Sequence, residues 1–429
     1  MEGLFALQLN ALLYIITFVV YFIKKRTLLD LGAICLLTFM LSSIGSVWYY
    51  SFDIVPKCYP YVSVNALVYI YCLFLIFLIP FLILKIDNSI IVYFEEHENI
   101  LNMLSSFFAV IAVPVFLNLA FNFIFKSFSG NALNSMYEND VDNATIIFIP
   151  GIQVLYSLMR YFYDLIALLF CYNLMKVKNY RLIIGLGVAL LSFFMIAFQS
   201  GSRGAIVMRL ITLGAYIILF YRLFDKNVKR YVRVFGLSMI VILSIGLSAI
   251  SISRFAASDT KGSDRVIDQW IAQYLGEGMI RFSHGVYTLD RTLDGDKNFS
   301  YLKSLLGNPS HDDNAKANLE YEARLGIPTS VFYTFIGSFY LDFGFLGTFV
   351  FACLVCLFMS RICFKINCYH HIGFVSSLIL VKYFKMISTG FTSNVYAVTS
   401  VQKGEFFFWL FIVAICCLSS SGKDESTVI

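Results

Sequence analysis

Eleven stretches of this chain are apolar over about 20 residues, the length of helix that crosses the hydrocarbon core of a bilayer. They fall near 3–23, 29–49, 62–84, 101–125, 151–175, 182–199, 205–220, 234–253, 335–360, 372–390 and 404–420. No other feature constrains the fold as tightly. Hydrophobic residues make up 59% of the chain and charged residues 14%, against about 25% charged in soluble domains. A water-soluble fold cannot hide that much apolar surface. The sequence therefore predicts an all-α polytopic membrane protein of about 11 transmembrane helices, with lipid as its main solvent.

Basic residues orient these spans. The first run has no positive residue before it; Lys24, Lys25 and Arg26 follow it, so it reads as a retained anchor rather than a cleaved leader. If those three residues are inside, alternation also places Lys85, Lys176, Lys178, Arg181, Arg222, Lys226, Lys229, Arg230, Arg233, Arg361, Lys365 and Lys423 inside. The short outer loops carry only Lys57, Lys126 and Arg203. Fifteen against three predicts an outer N-terminus and an inner C-terminus. The ten cysteines lie mostly in apolar runs, where cysteine is a small hydrophobe. Cys353 and Cys356 share one apolar run and read as packing. The inner group Cys363, Cys368, His370 and His371 meets no standard zinc spacing, and no nucleotide-binding motif is present.

One connection is unlike the rest. Residues 254–328 separate the eighth and ninth spans on the outer side, with nine Lys/Arg and eleven Asp/Glu. The sequence thus divides into 1–253 with about eight spans, the long loop 254–328, 329–420 with about three spans, and a tail at 421–429. Within the loop, Val266, Ile267, Trp270, Ile271, Tyr274 and Leu275 recur at helical spacing. That pattern predicts an amphipathic helix lying on the outer interface, ended by a break at Gly276-Glu277-Gly278. No internal repeat is visible, which weighs against a transporter.

Four groups of residues can carry chemistry. The hairpin Gln199-Ser200-Gly201-Ser202-Arg203-Gly204 puts Arg203 at the outer mouth of a span, with Ser202 as helix cap. A helix N-terminus beside a guanidinium suits a phosphate; the plainer alternative is an arginine snorkelling to headgroups. The anion site is favoured because short outer loops otherwise avoid basic residues. The long loop supplies Arg254, Arg265, Arg281, Arg291 and Arg324, of which Arg254 and Arg281 are the leading functional choices against ordinary surface charge. His284 and His311 are the only outer histidines and suit general-base work near neutral pH, with Glu277, Asp290 and Asp342 as competitors. Finally, charge falls within apolar runs: Arg160 and Asp164 at i, i+4, expected to pair, Arg209, and Lys382 with Lys385. These line a polar cavity or form structural pairs; both readings stand.

Gly201-Ser202-Arg203-Gly204 opens one span; the long outer loop follows; then Tyr333-Thr334-Phe335-Ile336-Gly337-Ser338-Phe339-Tyr340-Leu341-Asp342-Phe343-Gly344-Phe345-Leu346-Gly347 enters another. In this arrangement the chain resembles the bacterial O-antigen polymerases, the Wzy-type oligosaccharide repeat-unit polymerases. The resemblance is sharpest over 200–350, and the first 180 residues match only as generic spans. It implies a membrane glycosyltransferase of GT-C-like architecture in the bacterial inner membrane. Such an enzyme joins repeat units carried on undecaprenyl pyrophosphate at the periplasmic face, with no metal, nucleotide or other cofactor. On this reading Arg203, Ser202 and Arg254 hold the pyrophosphate, while His284, Arg254 and Arg281 are catalytic. Arg265, Arg291, His311 and Asp342 are further substrate contacts. The expected partners are the undecaprenyl-pyrophosphate-linked oligosaccharide, membrane lipid and a chain-length regulator protein, without nucleic acid. Three rivals remain: an O-antigen ligase passing glycan to lipid A core, a flippase for the same lipid-linked unit, and a purely structural membrane partner.

Overall fold

The computed structural model describes residues 2–26, 30–86, 91–94, 98–128, 149–176, 179–199, 203–234, 236, 238, 266–307, 314–330 and 332–421. The chain is a predominantly helical, polytopic membrane protein. Among the described residues, eight helices are long and apolar enough to cross a membrane, and a ninth crossing results if one bent pair counts as a span. The expected span at 234–253 lies almost wholly outside the described residues. The expected span at 372–390 appears as a helix of 15 residues.

By their contacts the residues group into two units. One comprises Met1–Ile86, Asp264–His370 and Lys382–Phe407; the other comprises Asp87–Ser263, His371–Val381 and Phe408–Ile429. The sequence blocks expected above are consecutive, whereas these units interleave along the chain.

The first unit is built on α1 (Glu2–Lys25), α2 (Leu31–Tyr50), the short α3 (Val55–Cys58) and α4 (Val64–Ile83). Asp30 caps α2, accepting from the backbone N–H of Gly32 and Ala33 and from the Tyr21 hydroxyl, so the turn after α1 satisfies its own orphan donors. Aromatic rings fill the seam between these helices. Phe39 lies 4.2 Å from Phe74, and Tyr14 lies 5.4 Å from Phe74. One end of the unit is basic. There Lys25 Nζ donates to the carbonyls of Phe81 and Leu84. Asn367 accepts from Lys85 N–H and donates to Ile83 O at the same end.

A second set of helices in the chain begins with a bundle in the other unit: α5 (Glu98–Phe128), α6 (Ile152–Tyr161), α7 (Tyr163–Lys176), α8 (Tyr180–Gln199) and α9 (Arg203–Phe220). Gly185 of α8 meets Ala109 of α5 so closely that an added Cβ would stand 2.5 Å from Ala109 Cβ. Glu98 and Lys176 pair at 2.7 Å. Two three-residue strands, β1 (Ile91–Tyr93) and β2 (His371–Gly373), pair in parallel with Ile91 opposite His371. The α6–α7 pair is bent by 75°. That bend corrects one expectation. Arg160 stays exposed while Asp164 is 5% exposed, and no ion pair joins them among the described residues, because the i, i+4 relation holds only on a continuous helix.

The described parts of the long loop, 266–307 and 314–328, belong to the first unit. They form α10 (Val266–Arg281), a π-helical turn at Phe282–Val286, α11 (Ser300–Leu305) and α12 (Asn314–Leu325). The chain continues through α13 (Thr334–Tyr369), α14 (Phe374–Ser388) and α15 (Thr399–Ser421). The expected break at Gly276-Glu277-Gly278 does not occur; α10 runs straight through it to Arg281. Packing is the reason. A Cβ on Gly276 would stand 2.3 Å from Ser46 N, and one on Gly278 would stand 2.6 Å from Phe391 O. Ser42 Oγ also donates to Leu275 O at 2.7 Å. These glycines permit backbone-to-backbone approach, which outweighs their weak helix propensity. The apolar face expected on α10 remains on the surface, with Trp270, Ile271 and Tyr274 exposed.

Candidate functional site

Along α10, Gln273, Glu277 and Arg281 follow at four-residue spacing, so they stack one turn apart. Glu277 is 3% exposed. It takes Arg281 Nε at 2.6 Å and Gln273 Nε2 at 3.1 Å, with the Tyr59 hydroxyl 3.5 Å away. The Arg281 guanidinium lies 5.5 Å over the Tyr59 ring. Burial raises the Tyr59 phenol, opposed by the Arg281 charge, so the ring stays protonated as a donor. A buried carboxylate is tolerable only when paired and hydrogen-bonded, and Glu277 meets both conditions.

Immediately after Arg281 the helix widens into its π-turn, a departure that often marks functional positions. Ser283 Oγ accepts the N–H of Ser63, the residue that caps α4. His284 Nδ1 lies 2.9 Å from Tyr61 O. A carbonyl can only accept, so Nδ1 carries the proton and Nε2 presents its lone pair. The Tyr59 ring meets the imidazole edge-on at 5.5 Å. Arg281 and His284 thus share one rigid setting, as their spacing predicts. Of Arg281's five donors, only Nε has a partner among the described residues.

Asp342 is placed differently. Gly344 breaks α13 with φ +66°, a conformation open to glycine. The break frees the Leu341 carbonyl, which accepts Leu293 N–H at 2.8 Å. Asp342, two residues before the break, is 1% exposed. Its oxygens receive the backbone N–H groups of Lys297 and Asn298 and the Asn298 amide. Asn298 in turn engages Ser338 and Asn394. Such saturation corrects the expectation of a substrate contact: Asp342 pins the loop to α13.

Lys297, which the sequence did not single out, is 7% exposed. Its Nζ donates to Thr329 O at 2.9 Å and lies 5.0 Å over the Tyr333 ring. Burial pushes its ammonium down to about 8. Arg324 binds Asp294 and Asp296, so it braces the turn beneath α11. Arg291 is exposed on the same loop. Arg203 is the first residue of α9; its side chain, together with Ser202, Arg254, Arg265 and His311, lies outside the described residues. Lys382 pairs with Glu405 at 2.6 Å, which favours the structural reading of that lysine.

The sequence does not predict the pairing of Glu277 with Arg281, because Glu277 reads there as part of a helix break. Nor does it predict Tyr59, since it enters from 218 residues away. Chemically, the cluster offers a fixed cation beside an imidazole with one open nitrogen. Compared with models of protein families, with curated proteins and with solved structures, the chain matches none.

Proposed function

We propose that this chain polymerises lipid-linked oligosaccharide repeat units by glycosyl transfer at the periplasmic face of a bacterial inner membrane. One observation carries the reading: Arg281, locked by buried Glu277, stands one turn from His284 with its Nε2 open. The donor expected for such an enzyme is amphipathic, with a tail that needs the bilayer and a diphosphate at its surface. The orientation of the first unit supports this. Lys25 and Lys85 mark one end, while Arg281 and His284 meet the chain at Tyr59–Ser63, between α2 and α4, at the other. The positive-inside rule then puts the cluster outside.

In the reaction, an acceptor hydroxyl oxygen attacks the anomeric carbon of the donor glycan. The bond from that carbon to the diphosphate oxygen breaks, and its electron pair leaves with the diphosphate. His284 Nε2 takes the hydroxyl proton. Arg281, aimed at the growing negative charge, lowers the barrier because its position is fixed before charge develops. Glu277 does not act as the base; its oxygens are already engaged. It sets where the guanidinium points.

A strain lacking the chain tests this reading. The account predicts lipid A core capped by single repeat units and no longer polymer. Uncapped core with polymer left on its carrier would assign a ligase instead, and an unaltered polymer ladder would overturn the proposal.

A further inference from the structure

The second unit holds a cation that the mechanism above does not use. Arg209 lies six residues into α9, about 9 Å along its axis. Its guanidinium sits 5.4 Å over the Phe193 ring, and the Tyr156 ring lies 6.1 Å from that same ring. One guanidinium nitrogen, Nη1, is buried without an acceptor. The Tyr163 hydroxyl donates to the Arg209 carbonyl at 2.8 Å, fixing this turn of α9 to the start of α7. Among the described residues, no carboxylate stands at ion-pair distance from Arg209. The 75° bend between α6 and α7 leaves Arg160 exposed, four residues after Tyr156 and three before Tyr163, whose hydroxyl reaches the Arg209 backbone. Among the described residues, counting Asp164 as ionised, two guanidiniums against one carboxylate still leave a net positive charge at membrane depth. Fixed charge there is costly and marks a functional position by default. Snorkelling does not explain the arrangement, since a snorkelling arginine carries its head out to water or headgroups, whereas Nη1 is buried.

We propose that Arg209 and Arg160 form a binding site for the phosphate group of a membrane lipid, seated at the α6–α7 bend. A phosphate offers several oxygens to the planar fork of a guanidinium, and so supplies the acceptor that Nη1 lacks. Tyr156 lies beside Phe193, and the Phe193 face holds Arg209 in place. A glycerophospholipid headgroup and a polyprenyl carrier phosphate present the same chemistry. The site does not depend on the glycosyl-transfer reading.

The test is native mass spectrometry of the full-length protein in detergent. It is titrated with phosphatidylglycerol, undecaprenyl monophosphate, or diacylglycerol, which has no phosphate. The site predicts retention of a phosphate-bearing lipid and no comparable retention of diacylglycerol. Arg209→Gln should weaken that binding about tenfold or more. Arg160→Gln, at an exposed position, should weaken it as well and decides the matter if Arg209→Gln fails to fold. Preference for undecaprenyl monophosphate would identify a carrier site and preference for phosphatidylglycerol a headgroup site; either supports the proposal. Equal retention of diacylglycerol, or wild-type binding by folded variants, would overturn it.

Discussion

Arg281 commits only Nε to Glu277, and that division of donors is what makes the pair useful. If Glu277 positions the guanidinium, Glu277→Gln keeps an acceptor and should retain more glycosyl transfer than Glu277→Ala. Arg281→Lys, which keeps charge but loses the planar fork, should not restore wild-type rate. Initial rates in proteoliposomes check both, and an Ala variant as active as Gln would refute the positioning role. Lys297 gives a separate test at the same scale. Its folded-state value of about 8 lies below the ordinary lysine value of about 10.4. Between these values the unfolded chain binds more protons, so stability rises with pH by up to about 1.4 kcal/mol per unit. Below about 8 both states are protonated and the burial cost is fully felt. Thermal unfolding of the wild type should therefore gain on Lys297→Met from pH 8 to pH 10; parallel pH curves would contradict this. Lys297 was not legible because burial in a loop leaves no periodic signal. Arg281 and His284 were, because three-residue spacing places them together wherever a helix forms.

At the level of elements, the glycines are where sequence reading and structure part. Gly276 and Gly278 read as a break because glycine is a poor helix former, yet here Gly276 lets α10 cross α2 and Gly278 lets it approach the Phe391 backbone. A Cβ at 276 would stand 2.3 Å from Ser46 N and 2.4 Å from the Gly45 carbonyl, atoms of backbone that cannot swing aside. Gly276→Val should cost about 1–3 kcal/mol or more, seen as a lower melting temperature in detergent, and an unchanged melting curve would refute the crossing. Gly344 differs: its φ of +66° and ψ of −167° suit glycine alone, so Gly344→Ala should cost about 1–3 kcal/mol. The Tyr333–Gly347 motif was visible in sequence, but the work of Asp342 was not. Only its enclosure by Lys297 and Asn298 separates a loop anchor from a ligand contact. The i, i+4 pairing of Arg160 with Asp164 failed for a related reason, since periodicity cannot report a bend.

At the level of the whole molecule, apolar run length located, among the described residues, eight helices long and apolar enough to span, most of them to within about five residues, because bilayer thickness leaves little freedom. Thr334–Tyr369 runs nine residues past the expected end. The grouping into two interleaved units was invisible, since it depends on contacts far apart in sequence. Two native cysteines test the orientation. Cys58, exposed in α3, and Cys368, exposed near the end of α13, should react with a membrane-impermeant maleimide on opposite sides. In intact spheroplasts Cys58 should be labelled, and Cys368 only after permeabilisation; the reverse pattern would place His284 and Arg281 in the cytosol. The most direct test of the central claim is reconstitution of the purified protein with undecaprenyl-pyrophosphate-linked repeat units, scored for a ladder of longer glycans. The account predicts a ladder from the wild type and a rate lower by about 10²–10³ for Arg281→Ala. No ladder from folded wild-type protein, or an undiminished one from Arg281→Ala, would contradict it.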